Sequence, residues 1–325
     1  MLNSFNLQRF ESLQVLELLI QIQPLHLINV LKLIPRPSNL THLGLHIKFG
    51  SSEENQELEQ LGNLLLERFK NLQNINFRLL KNFSDFQSLN FLQGPAISSL
   101  KLEIDSSKPI SLKNFANIFS SVKTVENLEI RLKTEISSRL KEEDYHFFYS
   151  QLAKLQRLQS LSISILIPDS QQKDLNLSEK LAEALRELPK LNLLSFNHPI
   201  LEKSPNRLKP IIAVLKEKGD AIKKLEYNFN QKALSTQEFS ALAEYLYFSK
   251  IQQLSLTGLN FQDKQDIKRL TRALVGAKSL ESLNLNQVCE KDIYNELGQK
   301  LGKQASIKKF LLQDKNAISY DLDSI

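Results

Sequence analysis

The sequence holds few of the residues on which catalysis and metal binding usually depend. Its 325 residues include one cysteine, five histidines, nine glycines and no tryptophan. The single cysteine, Cys289, excludes an internal disulfide and is typical of a reducing compartment. With few glycines, and without the motifs G-x-x-x-x-G-K-S/T, G-x-G-x-x-G or G-x-S-x-G, no phosphate-binding loop or catalytic serine turn is expected. We therefore predict a protein that is not an enzyme and that has neither a cofactor nor a small-molecule substrate.

The histidines do not suggest a metal site. His42 and His46 are four residues apart, and on a strand that spacing separates them by about 13 Å, too far to share one zinc ion. His146 and His198 lie in no recognisable motif. No metal is predicted.

The chain also has no long hydrophobic run. Its most apolar stretch, residues 13–34, is interrupted by Glu17, Pro24 and Lys32, so membrane insertion is not expected. The N-terminal residues show no apolar segment with a cleavage site, which favours a cytoplasmic location. Cytoskeletal, ciliary and organellar complexes are all compatible with that expectation. A net charge of +6 is modest for this length, so nucleic acid is not expected as the partner.

Leucine is what the sequence has in abundance, with 62 of the 325 residues, and it recurs in a fixed pattern. The pattern is L-x-x-L-x-L, with Ile, Val, Phe or Tyr replacing Leu in some copies, and successive copies begin 25 to 33 residues apart. The eleven copies begin at Leu13, Leu40, Leu72, Ile97, Val125, Leu158, Leu191, Ile222, Ile251, Leu280 and Ile307. A repeat of this period is typical of a solenoid, in which each unit buries its apolar edge against its neighbours.

Each copy predicts a short strand followed, in most repeats, by a helix. Alternating leucines give the strand, and stripes such as Leu58, Leu61, Leu65 and Phe69 have helical spacing. The expected caps are Ser178 ahead of one helix and Ser235 or Thr236 ahead of another. We therefore predict an α/β solenoid of about eleven strand–helix repeats. It forms one domain over residues 1–325, with repeats over about 10–315 and a C-terminal cap or tail at 314–325.

This pattern resembles the leucine-rich repeat family, in its ribonuclease-inhibitor-like class with a full helix per repeat. The resemblance implies an arc with parallel strands on the concave side and helices on the convex side. It also implies a structural role for Cys289, near a turn position where the family often buries a cysteine. The family's turn asparagine is matched by Asn230 but replaced in most repeats, for example by Lys48 and Leu80, so the repeats are degenerate.

Residues that alternate with the buried leucines are predicted to line the concave strand face, which is polar and free of aromatic residues. A basic stripe crosses it, formed by Lys48, Arg78, Lys101, Arg131 and Lys133 and interrupted by Glu103 and Glu129. On this face the candidate partner-binding residues are Asn76, Arg78, Lys101, Asn127 and Arg131. Interfaces draw most of their energy from Trp, Tyr and Arg anchors, so this face competes with the convex side as the binding face.

Two other places are candidate binding surfaces. Tyr145 and Tyr149 are four residues apart on a predicted helix and form either an exposed partner patch or packing between repeats. At the N-terminal edge, Val15 and Leu19 put apolar side chains where solvent is expected. Either residues 2–10 fold over that edge or a partner protein covers it.

Four functions are consistent with such a chain. The repeat favours a non-catalytic protein–protein interaction scaffold, a subunit of a larger assembly. A ubiquitin-ligase substrate receptor is disfavoured because the repeat starts at Leu13 and leaves no space for an adaptor-binding module. A GTPase activator resembling the Ran activators is an alternative, although their regular asparagine pattern and acidic tail are missing. Weak RNA binding through the basic stripe is the fourth.

Overall fold

The computed structural model describes residues 12–34, 39–49, 55–81, 89, 92, 96–106, 110–134, 142–166, 177–197, 208–229, 234–261, 263–286, 300–301, 306–313 and 320–321. The chain divides into two compact units. Unit 1 comprises Met1–Leu158, Ile165–Gln171 and Glu187–Pro189, and unit 2 comprises Gln159–Ser164, Gln172–Arg186 and Lys190–Ile325. The single domain expected from the repeat stays a prediction.

Unit 1 contains five parallel strands that pair in the order of the chain. The strands are β1 (Val15–Ile22), β2 (His42–Phe49), β3 (Asn74–Lys81), β4 (Ser99–Ser106) and β5 (Asn127–Thr134). Its helices are α1 (Pro24–Lys32), α2 (Asn55–Arg68), α3 (Leu112–Ala116), α4 (Ile118–Ser121) and α5 (Glu142–Leu152). Most residues between β3 and β4 lie outside the described ranges.

Unit 2 continues the same alternation of strand and helix. Its strands are β6 (Ser160–Leu166, whose last two residues fall in unit 1), β7 (Leu193–Asn197), β8 (Lys224–Asn228), β9 (Gln253–Thr257), β10 (Ser282–Asn286), β11 (Lys309–Gln313) and β12 (Tyr320–Asp321). Its helices are α6 (Leu177–Arg186), α7 (Leu208–Lys218), α8 (Thr236–Phe248) and α9 (Lys264–Gly276). Strands β6 to β11 pair in parallel, and β12 pairs antiparallel with β11. The prediction of an α/β architecture with parallel strands and alternating helices is confirmed, whereas the repeat class and the curvature stay predictions.

A recurring backbone contact sets the register between neighbouring repeats. The carbonyl of the second residue in the repeat pattern accepts two consecutive N–H groups from the start of the next repeat, at 2.8 to 3.2 Å. The accepting carbonyls belong to Gln14, Thr41, Gln73, Ser98, Gln159, Asn192, Lys223, Gln252 and Glu281. Because this contact uses only backbone atoms, the side chain at that position can vary from repeat to repeat.

The repeated apolar positions form the core, as the sequence pattern predicts. In nine consecutive repeats, from the one beginning at Leu40 to the one beginning at Leu280, all three apolar positions of the pattern are buried. In the first and last repeats they are only half-buried, as Leu16, Leu18, Phe310 and Leu312 show. Each inner repeat is therefore covered by two neighbouring repeats, whereas each terminal repeat has only one neighbour.

The helices bury the predicted stripes. Leu58, Leu61 and Leu65 of α2 are buried, and so is Phe69, which directly follows the helix. At the start of α8, the Ser235 side chain accepts the Glu238 N–H and the Glu238 side chain accepts the Ser235 N–H, which confirms that predicted cap. Ser178 instead lies inside α6, so the expectation of a cap there is wrong.

Candidate protein-interaction surfaces

The polar strand face of unit 1 gathers the predicted candidates of β3, β4 and β5 into rows. The parallel register places Asn76 beside Lys101, and Arg78 beside Glu103. On the next strand Asn127 lies beside Ser99, Glu129 beside Lys101, and Arg131 beside Glu103. The five candidates expected on this face are therefore brought together.

The basic stripe is largely paired with acids. Arg78 Nε lies 3.2 Å from Glu103 Oε1, and Lys133 Nζ lies 3.2 Å from Asp105 Oδ2. Both Lys101 Nζ, at 3.0 Å, and Arg131 Nε, at 2.8 Å, approach Glu129 Oε1. Half-exposed pairs of this kind add at most about 1 kcal/mol each to stability, but they lower the positive potential available to a ligand.

His42 belongs to a hydrogen-bonded chain that links the starts of the first three strands. Its Nε2 lies 2.8 Å from Asn74 Nδ2 and its Nδ1 lies 2.7 Å from Thr41 Oγ1. The Thr41 hydroxyl donates to the Gln14 carbonyl at 3.2 Å. Since the Asn74 amide nitrogen is a donor, Nε2 accepts and Nδ1 carries the proton. His198 and Cys289 lie outside the described residues.

The expectation that Tyr145 and Tyr149 form an exposed patch is wrong. Each is 1 % exposed, because α5 buries Tyr145, Phe148, Tyr149 and Leu152 as one stripe. Phe148 stacks on Phe115 with centroids 6.0 Å apart and meets Tyr149 edge-on at 5.4 Å. Burial raises the pKa of both tyrosine hydroxyls above its usual range. The tyrosines therefore pack between helices, which is the second of the two alternatives that the sequence left open.

The N-terminal edge of unit 1 does expose apolar side chains. Val15 and Leu19 on β1 are 52 % and 63 % exposed, and Ile20 beside them is 56 % exposed. Leu25 and Leu33 at the two ends of α1 are also exposed. Residues 2–10, the segment expected to cover this edge, lie outside the described residues. We call Val15, Leu19, Ile20, Leu25 and Leu33 the edge patch.

Unit 2 carries a second exposed apolar group, which the sequence analysis missed. Tyr247 and Phe248 end α8 and are 50 % and 76 % exposed, and Val275 near the end of α9 is 39 % exposed. The signal was available, because the buried stripe of α8 runs through Phe239, Leu242 and Leu246 and leaves the next two aromatic residues off it. These three residues are called the α8–α9 patch.

Sequence similarity gives no further guide to these surfaces. No protein-family model matches the chain, and no curated protein sequence matches it. The leucine-rich repeat class therefore stays a prediction from the spacing. Within the described ranges no helix is both long and apolar enough to cross a bilayer.

Proposed function

We propose that this chain is a non-catalytic protein–protein interaction scaffold, a subunit of a larger assembly. One observation supports it: the large exposed hydrophobic residues of the described chain fall on β1 and at the ends of α1 in unit 1, and at the ends of α8 and α9 in unit 2. Five form the edge patch of unit 1 and three form the α8–α9 patch of unit 2. Single exposed apolar residues are ordinary on any protein, whereas contiguous patches mark binding sites.

The edge patch combines side-chain and backbone features of an interface. β1 pairs with β2 on one side, and no other described strand pairs with it. Three of its side chains are more than half exposed, and α1 adds two exposed leucines. A partner that covers this edge would bury apolar area and satisfy strand backbone groups together.

The remaining alternatives have less support. Among the described residues, four of the five cations in the basic stripe lie within 3.2 Å of a carboxylate, which leaves less charge for RNA than the sequence alone suggested. Nothing in the described geometry favours a GTPase activator or a ubiquitin-ligase receptor over a scaffold.

Pull-down of the tagged protein with a double variant, Leu19→Ser with Ile20→Ser, tests this proposal. We expect the variant to lose a stoichiometric protein partner that the wild type retains, because both side chains are largely solvent-exposed and their loss removes apolar contact area. Lys70→Ser, at an exposed turn position of the same unit, is the matched control and should retain the partner. Equal recovery from all three proteins would exclude the edge patch as an interface.

A further inference from the structure

The α8–α9 patch borders a groove between two helices of unit 2. The groove has a volume of about 330 Å³ and is lined by Ser240, Ala243, Tyr247, Arg269, Arg272 and Ala273. Two alanine methyl groups and an aromatic ring make much of its wall apolar, and its size is at the lower end for ligand pockets. It has space for a few side chains rather than for a folded domain.

The Tyr247 ring is held beside the groove by its neighbours. It lies edge-on to Phe248, with ring centroids 5.0 Å apart. It also packs directly on Gly276, where an added Cβ would clash with the Cδ2 and Cε2 atoms of the ring. Glycine at the end of α9 thus allows the close approach of Tyr247, and two aromatic rings remain presented to solvent.

The charges around the groove are mainly positive. Arg269 is partly engaged, since its NH1 lies 2.9 Å from Oδ1 of the buried Asp266. Lys268 and Arg272 are exposed and form no ion pair with any residue that the structure describes. The nearest acid of α8 on its exposed side, Glu244, is bound by Lys216 of α7 at 2.7 Å. Arg272 lines the groove, and Lys268 lies four residues before it on the same face of α9, so two cations are available on this side of the helix.

We propose that this groove binds a short acidic segment of a partner protein. A bulky apolar side chain of the segment enters between Tyr247 and Ala273, and its carboxylates meet Arg272 and Lys268. The choice follows from charge complementarity and from the proximity of aromatic and arginine side chains, the residue types that dominate interface energies. A nucleic acid fits less well, because its backbone needs an extended row of cations rather than two beside an apolar groove. The proposal rests on the scaffold function and supplies the chemistry of one partner.

Selection from a displayed library of random peptides, about a dozen residues long, on the full-length protein tests this proposal. We expect enriched peptides to carry Asp or Glu together with a large apolar residue. They should bind Arg272→Glu and Phe248→Ser at least about tenfold more weakly than the wild type. Lys209→Glu removes an exposed cation elsewhere in unit 2 and should leave the affinity unchanged. Since Phe248 and Arg272 are exposed, both variants should fold, and matching thermal unfolding curves check this.

Gly276→Ala separates the shape of the groove from its charge. It displaces the Tyr247 ring and keeps every cation, so we expect weaker peptide binding with an unchanged preference for acidic sequences. The proposal is overturned if the enriched peptides lack acidic residues, or if they bind Arg272→Glu as tightly as the wild type. It is also overturned if short RNA displaces the peptides from the groove.

The outcome for the groove and the outcome for the scaffold function are distinguishable. If Arg272→Glu protein recovers the cellular partner but no acidic peptide binds the wild type, the groove proposal fails and the scaffold stands. If acidic peptides bind the groove while no stoichiometric partner is recovered from cells, the groove proposal stands and the scaffold fails.

Discussion

Glu238 is a buried acidic residue that joins the first turns of two helices. Its Oε2 accepts the N–H of Ser235 at 3.0 Å and the hydroxyl of Ser235 at 2.9 Å, at the start of α8. Its Oε1 accepts the N–H of Leu208, the first residue of α7, at 3.3 Å. One carboxylate therefore satisfies donors that two helix starts would otherwise leave unpaired.

Replacing this carboxylate should destabilise unit 2. We expect Glu238→Ala to lower the free energy of unfolding by roughly 2–4 kcal/mol, since it removes charged hydrogen bonds at a site that is 4 % exposed. Glu238→Gln keeps an acceptor oxygen and should lower the free energy of unfolding by less than Glu238→Ala does. Urea unfolding of both variants measures this, and a loss for Glu238→Ala no larger than for Glu244→Ala, an exposed position of the same helix, would contradict it.

Buried tyrosine hydroxyls whose pKa is raised make the folded protein less stable at alkaline pH. Burial raises the pKa of Tyr145, Tyr149 and Tyr245 above the ordinary value of 10.0. Above pH 10 the unfolded chain releases these protons while the folded chain keeps them. The unfolded state then binds fewer protons, so stability falls as pH rises.

Each buried tyrosine should reduce stability by about 1.4 kcal/mol per pH unit once the pH exceeds 10. Urea unfolding at several alkaline pH values measures the slope. Tyr149→Phe removes one titrating group and should make the slope shallower by about that amount. An identical slope in the variant would show that the Tyr149 hydroxyl ionises equally easily in the folded and unfolded chains.

At the scale of elements, an aromatic cluster joins α3, α4 and α5 in unit 1. Phe148 lies 5.3 Å from Phe119 and 6.0 Å from Phe115, centroid to centroid, and is fully buried. Its neighbour in sequence, Phe147, is half-buried and lies against the Lys113 ammonium at 5.7 Å. Adjacent phenylalanines of one helix thus have different surroundings.

This contrast predicts different costs for the same substitution. Phe148→Ala should lower the free energy of unfolding by about 3–5 kcal/mol, because it leaves a cavity between three helices. Phe147→Ala should cost about 1 kcal/mol, the loss of an exposed cation–π contact and a little apolar area. Denaturant unfolding of the two variants compares them directly, and similar losses would mean that the cluster does not hold these helices together.

The strands were predictable from the sequence because the repeat pattern determines the register between strands and which side chains lie on each face of the sheet. Aligning the copies places Arg78 beside Glu103 and Lys101 beside Glu129, as the structure has them. The helices were less predictable, since their rotation about the axis is set by packing against neighbours and not by the repeat. For this reason the sequence left open whether Tyr145 and Tyr149 are exposed or packed between repeats, and it gave no expectation of the exposed end of α8.

At the scale of the whole molecule, the net charge of +6 is not concentrated on the strand face. Glu129 alone holds both Lys101 and Arg131. We expect Glu129→Gln to release these cations and to strengthen retention on a heparin column, with the wild type eluting earlier. Earlier or unchanged elution of the variant would show that Glu129 does not neutralise this face.

Affinity purification of the endogenously tagged protein, washed at low and then moderate salt, tests the scaffold function most directly. Because the exposed surfaces that support it are apolar, we expect a stoichiometric protein partner to survive the salt wash, with mass spectrometry identifying it. Recovery of the chain alone, or only with nucleic acid that is lost as salt rises, would contradict the scaffold function.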